Sequence, residues 1–254
     1  MFHAFDHLTQ TSIPTDAAVA VLPLGAMETH GPHLPLGTDS LIAGGILDRT
    51  RDLDQSAAPI LRLPPLWLGA SAEHANRAGT LSIEPEALIT QIEAIGEGLA
   101  RCGVKRLMLF NAHGGNVAAA SIAALKLRRR FAMLTASAHW LDYGLPAGLT
   151  PPSNAKEDVH GGWIETSVML HIAPQLVGKG ASARPPSPPA SSLFPSGPVA
   201  WGWMTTDLAT DGWIGRPDLA NADLGRLLVD HAARQTLATL HELAAATWSP
   251  KAAL

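Results

Sequence analysis

VAVLPLGAMETHGPHLPLGTD, residues 19 to 39, opens with a short apolar run closed by Gly25 and ends at Asp39, where a helix N-cap is expected ahead of SLIAGGIL. It reads as strand, long polar loop, helix. The order returns downstream: PILRLPPLW (59–67) leads through a polar loop to Glu84-Pro85-Glu86, after which Leu88, Ile92, Ile95 and Leu99 recur at helical spacing. Arg106 to Phe110 passes through Asn111-Ala-His-Gly-Gly-Asn116 into an Ala-rich helix reaching about Arg130, and residues 132–140 read as a fourth strand. Strands alternating with helices of roughly 12 to 20 residues specify an α/β fold whose mostly parallel central sheet is covered on both faces. In such folds ligands gather at the carboxyl ends of the strands, where all the polar clusters of this chain fall. Residues 174–198 are too rich in Pro for a regular element and are expected to form an ordered excursion or a subunit arm. Leu219, Leu227, Leu228, His231, Leu237 and Leu240 mark a last helix. With no internal repeat and no linker, residues 1–254 are expected to form one domain.

Composition narrows the function. The 254 residues are 46% hydrophobic and 16% charged, enough apolar content to bury a large core. A net charge of −4, with no basic cluster longer than Lys126–Arg130, argues against a nucleic-acid groove. Cys102 is the only cysteine, which excludes an intrachain disulfide and fits a cytoplasmic home. The opening MFHAFDHLTQTSIPTD has no basic start followed by an apolar run, and no stretch reaches the roughly 18 apolar residues of a spanning helix, so no membrane association is expected.

Three segments carry chemistry. In the first, Glu28 and His30 are two residues apart and leave the same face of an extended backbone, with Asp39 placed to swing back between them. That mixed O/N set suits Zn, Mn or Fe. In the second, Asn111 to Asn116, a Gly pair lets backbone approach a ligand closely, and no Lys follows as a P-loop would require. The third, EDVHGGWIETS (157–167), places His160 and Glu165 about one and a half helical turns apart, with Asp158 a possible N-cap.

These segments, PLGAMETHGPHLPLGTD, NAHGGN and HGGWIETS, resemble in order the three signatures of the creatininase family of metal-dependent amidohydrolases, and SAEHANRAGTLS (71–82) and VAWGWMTTDLATDGWIG (199–215) extend the likeness over most of the chain. The resemblance implies a three-layer αβα sandwich, a two-metal centre, hydrolysis of a non-peptide C–N bond and a ring-like homohexamer. It matches Glu28, His30, Asp39 and His113 to metal ligands, with Asp39 bridging. Where creatininase has Tyr and then a Glu ligand after that His, this chain has Gly114 and Gly115, so Glu165 is expected to close the ligand set. Val159 also stands where creatininase has an acidic residue.

On this reading two divalent ions, Zn²⁺ with Zn²⁺, Mn²⁺ or Fe²⁺, activate a water. His160 moves the proton to the leaving nitrogen, with Asp158 or Glu157 orienting its ring. Trp163 and Trp203 are expected to flank a flat substrate. Trp140, Trp201 and Trp213 lie near the site segments, and for each of them core packing is the simpler reading. His33, His139, His171, His231 and His241 are read as structural, and Glu73 and His74 receive no role. The departures at 114, 115 and 159 point to a small amide other than creatinine, such as a cyclic amide or formamide. The rivals are a small-peptide hydrolase on the same centre, as in mycofactocin maturation, a true creatininase, and a binding protein with a degenerate site.

Overall fold

Strands covered on both faces need apolar side chains without alternation, and β2 (Val19–Leu24) is buried along all six residues. The computed structural model describes residues 1–14, 18–154, 157–179, 181–188, 190, 193, 195, 199 and 201–247. Around β2 lie β1 (Phe2–Ala4), β3 (Ile60–Arg62), β4 (Arg106–Asn111) and β5 (Leu134–His139), in the order β1-β3-β2-β4-β5. Every neighbouring pair is parallel, with Val19 opposite Ile60 on one side and Arg106 on the other.

The period of two along the strands divides the core. Val19, Val21, Met108 and Phe110 face one layer, built from α1 (Thr38–Leu53), α4 (Trp163–Ile172) and α6 (Ala222–Ala245). Ala20, Leu22, Leu24, Leu107 and Leu109 face the other, built from α2 (Pro85–Arg101) and α3 (Val117–Phe131). The three-layer α/β sandwich is therefore as the sequence implies. A single turn, α5 (Thr205–Leu208), lies apart from these layers. Among the described residues no helix is long and apolar enough to cross a membrane.

Four boundaries differ from the sequence reading. The edge strand β1 is added, because a three-residue FHA segment carries no periodicity and is held only by pairing with β3. The apolar run 59–67 forms just three residues of strand, since Pro64 and Pro65 cannot continue the ladder. Asp39 is not the N-cap: α1 begins at Thr38 after Gly37, which leaves the Asp39 carboxylate in the first turn. Helix α6 begins only at Ala222, where Asn221 accepts a hydrogen bond from Leu224 N at 3.0 Å. Of the Pro-rich excursion 174–198, Pro174–Leu176 forms a 3-10 turn, and residues 180, 189, 191, 192, 194 and 196–198 lie outside the described residues.

Helices α4 and α6 meet backbone to backbone at Gly225, where an added Cβ would stand 1.9 Å from the Ser167 carbonyl oxygen. Gly225→Ala therefore forces the helices apart and should cost on the order of 1–3 kcal/mol of stability. Urea denaturation measures this, and an unchanged midpoint would contradict the close approach.

Candidate metal centre

The carboxyl ends of β2 and β4 deliver the first two segments to one place. Beyond β2 the chain runs from Gly25 to Gly37, presenting Glu28 and His30, and returns through α1 with Asp39; beyond β4 comes His113. A residue further, the 113–116 loop is fixed by Asn116, whose amide donates to Gly25 O at 2.9 Å and accepts from Ala70 N at 2.9 Å. The third segment adds His160 and Glu165, the latter in the first turn of α4 with its carboxylate accepting from Gly161 N at 2.6 Å.

Five of these side chains converge. His113 Nδ1 lies 3.2 Å from Glu28 Oε1 and 3.5 Å from Asp39 Oδ2. His30 Nε2 lies 3.4 Å from Asp39 Oδ1 and 3.9 Å from Glu165 Oε2. Two overlapping triads result, Glu28–Asp39–His113 and His30–Asp39–Glu165, which share Asp39. Ligands held at about 2.0–2.2 Å from a tetrahedral ion stand roughly 3.3–3.6 Å apart, so the observed separations suit donors around a cation better than donors hydrogen-bonded to one another. A third group, Glu28–His30–His160, has the same capacity.

Burial sharpens that demand. Glu28, His30 and Asp39 are at most 1% exposed, and both Glu28 oxygens, His30 Nε2 and Asp39 Oδ2 have no hydrogen-bond partner. Burial pushes the Asp39 carboxyl up to about 6, with the Glu28 charge adding to it. Burial would raise Glu28 too, but the imidazoles of His113, His74 and His160 hold it well below the usual carboxylate range. His30 and His113, against the pull of burial, are raised to about 10 by Asp39 and by Glu28 respectively. Without ions the cluster thus draws protons onto the ring nitrogens that face the carboxylates, the positive charge that divalent cations supply in another form.

His160 stands beside the triads, its ring centroid 4.2 Å from that of His30 and 4.0 Å from that of His74. Its Nε2 donates to Thr29 O at 2.6 Å, which leaves Nδ1 facing Glu28 Oε1 at 3.7 Å. Burial and the charge of His30 lower its pKa to about 4. The sequence reading that Asp158 orients this ring is corrected: the Asp158 oxygens accept from Trp163 N (2.7 Å), Ile164 N (2.9 Å) and Arg216 N (3.3 Å), capping α4. Burial raises that carboxyl to about 6 even so. The backbone carbonyl of Thr29 occupies the place expected for a carboxylate.

Above the cluster opens a cavity of about 970 Å³, whose walls include Trp140, Trp201 and Trp203 together with Leu141, Leu145 and Leu228. Trp203 lies where the sequence reading puts it, on the cavity wall. Trp163 does not: as the first residue of α4 it is fully buried in the layer with α1 and α6, and it is absent from the lining. Trp213 packs against Gly31 and donates from its indole nitrogen to Ser182 O at 3.0 Å.

His33 bonds Gly161 O at 2.8 Å, and His241 bonds Asp54 at 3.0 Å, far from the cluster. Four residues given no functional role, Glu73, His74, His139 and His231, line the cavity. His74 Nε2 is 3.5 Å from Glu28 Oε1, and burial lowers its pKa to about 2. The signal was positional: Glu73-His74 lie in the loop after β3, and His139 is the last residue of β5, at the carboxyl ends of strands of a parallel sheet.

Comparisons with known proteins identify the family and the fold. The creatininase family profile, described as creatinine amidohydrolase, matches residues 6–240. Over 223 residues the chain is 36% identical to mycofactocin precursor peptide peptidase of Mycobacterium ulcerans (strain Agy99), covering 86% of this chain and 82% of that protein. It is 29% identical over 200 residues to creatinine amidohydrolase of Pseudomonas putida, covering 71% and 75%. A crystal structure of a candidate creatinine amidohydrolase from Bacteroides fragilis NCTC 9343 superposes with a TM-score of 0.79 over 94% of each chain, at 24% identity.

The raised imidazoles predict a pH response in chelator-treated protein. His30 and His113 keep, up to about pH 10, protons that the unfolded chain releases near 6.5. Their contribution is complete below about pH 6.5 and is lost as the pH climbs through 10. Denaturation midpoints of the stripped protein should therefore fall between these limits, and restoring divalent cations should flatten the slope. A stripped protein with level alkaline stability would refute the protonated cluster.

Proposed function

The chain belongs to the creatininase family of hydrolases, and on that premise we propose that it is a metal-dependent amidohydrolase whose two divalent cations are held by Glu28, Asp39 and His113 and by His30, Asp39 and Glu165. The observation that carries this reading is the pair of donor triads sharing one buried carboxylate, with their donor atoms otherwise unpartnered. The O/N donor set suits Zn²⁺ in at least one site, with Zn²⁺, Mn²⁺ or Fe²⁺ in the other. Cations bound there supply a nucleophilic water at neutral pH and polarise the carbonyl that it attacks.

The chain itself must bind the amide, keep bulk water out and move one proton. His160 is placed for the proton. With Nε2–H committed to Thr29 O, its Nδ1 is a neutral acceptor on the rim of the cluster, able to take a proton and return it to the departing nitrogen. His74, stacked on it at 27°, holds the ring in place. Asp158 acts at a remove, by capping the helix that carries Glu165.

Two amide classes compete for the cavity: a small planar amide or formamide, and the amide of a short peptide. A volume of about 970 Å³ is at the upper end of the ~300–1,000 Å³ typical of ligand sites and far exceeds one five-membered ring. That volume, together with the likeness to a peptide peptidase, favours the longer substrate. Creatinine is a poor fit on separate grounds. Val159, Gly114 and Gly115 offer no polar side chain to replace those of creatininase, and losing such partners costs discrimination on the order of 10⁴.

Metal analysis tests the ligand sets separately. Glu165→Gln should empty one site and His113→Ala the other, while Asp39→Ala should lose both ions. Full metal content in Asp39→Ala would end the proposal. Chelator-sensitive turnover of short peptides beside creatinine, lactams, hydantoins and formamides then ranks the substrates, with creatinine expected near the bottom. A panel led by creatinine would contradict the reading of positions 114, 115 and 159, and His160→Ala should lower turnover by about 10²–10⁴-fold with metal retained.

A further inference from the structure

Glu73, on the turn after β3, belongs to neither donor triad. Its carboxylate lies on the cavity wall, 18% exposed, with Oε1 3.5 Å from His113 Nε2, beyond hydrogen-bonding distance. That ring nitrogen already has Ala70 O at 3.1 Å and Ser71 Oγ at 3.3 Å. The Glu73 carboxylate, which also accepts from its own backbone N–H, is therefore next to the ligand cluster and open to the cavity.

Two features hold it there uncovered. A Cβ on Gly115 would stand 2.1 Å from Ala70 O and 2.8 Å from Glu73 Oε1, and nothing lies within 4 Å of one on Gly114, so the Gly pair keeps side chains away from the carboxylate. The turn itself is tied to α5: Thr205 Oγ1 donates to Glu73 O at 2.9 Å and accepts from His74 Nδ1 at 2.6 Å. Trp203 stands edge-on to His74, its ring centroid 6.4 Å away. Glu73 and Trp203 thus share one cavity wall.

The charge of the cavity points the same way. Among the described residues no Lys or Arg lines it. Two dications would outweigh Glu28, Asp39 and Glu165 by one charge, and Glu73, Asp142 and Asp158 on the walls reverse that sign. Among the described lining residues an anionic group on the substrate therefore finds no Lys or Arg to pair with. A cationic one finds a carboxylate, with indole faces nearby that attract cations.

Resting on the proposed amidohydrolase, we propose that Glu73 is a substrate-recognition residue that holds an ammonium nitrogen of an amide whose apolar body lies along Trp203 and Trp140. The class selected is an amine-bearing amide, with an anionic group in the place of that ammonium disfavoured.

Three hydroxamates of equal chain length, ending in ammonium, methyl or sulfonate, provide the test. Their binding is measured by calorimetry on the Zn²⁺-loaded protein and on Glu73→Gln, with metal content determined for both. In the native protein the ammonium tail should bind about 10-fold or more tighter than the methyl tail, and the sulfonate weakest. Glu73→Gln should erase that order with its ions retained. Equal binding of the three tails, an order that survives Glu73→Gln, or loss of metal from that variant overturns the inference alone. Failure of every hydroxamate to bind fully loaded protein overturns the metal-centred reading and this inference with it.

Discussion

Three carboxylates, Glu28, Asp39 and Glu165, are brought within a few ångströms of one another where water scarcely reaches. In a site of low dielectric such a group repels itself strongly, and the protein answers with imidazoles: His30 and His113 between the carboxylates, His160 and His74 around them. The answer is incomplete. Four donor atoms of Glu28, His30 and Asp39 remain unpartnered, and proton affinities are displaced in both directions. Divalent cations would relieve both conditions at once, neutralising the carboxylates and satisfying lone pairs that neighbours at 3.2–3.9 Å leave without hydrogen bonds.

The sheet exists, from this viewpoint, to make that convergence possible. Parallel pairing puts the ends of β2 and β4 side by side, with Leu24 opposite Asn111, so the loops that follow open onto the same space. Neither loop can be loose. Asn116 ties them by bonding Gly25 O and Ala70 N, and Asn111 donates to His113 O at 2.7 Å. The third segment arrives on α4, whose start is fixed by Asp158. A buried carboxylate spent on three backbone N–H groups, itself outside both triads, determines where Glu165 points.

Much of this was legible in the chain. The unalternating strands β2 and β4, the amphipathic α2 and the placing of polar clusters after strands all follow from periodicity. Glu28, His30 and Asp39 could be named as a donor set from their spacing in one polar loop, whereas His113 and Glu165 were joined to them through the resemblance to the creatininase signatures. What was not legible depends on tertiary pairing. Strand β1 has no pattern of its own, and α1 begins one residue before Asp39, a shift that sequence cannot resolve. Trp163 illustrates the limit best. Its place beside His160 and Glu165 suggested a substrate wall, but on a helix the neighbour of an inward ligand can face the opposite layer, and that layer took it. Asp158 was left between two readings, since a carboxylate two residues from a catalytic candidate can serve that residue or the helix start, and the backbone donors of the helix start took it.

The donor triads and the cavity walls come from separate parts of the fold, so that on the proposed reading one centre could serve different substrates. The triads come from loops after β2 and β4 and from α4, whereas the cavity above them is walled by residues of other origin: Trp140 and Leu145 beyond β5, Trp203 ahead of α5, Leu228 and His231 on α6. A change in those elements alters volume and polarity without disturbing the carboxylate geometry. On the proposed reading the cluster, by holding cations, would set the chemistry of hydrolysis. The walls decide which molecule brings that bond, and in this chain they are wide, aromatic and acidic, without a described Lys or Arg among them.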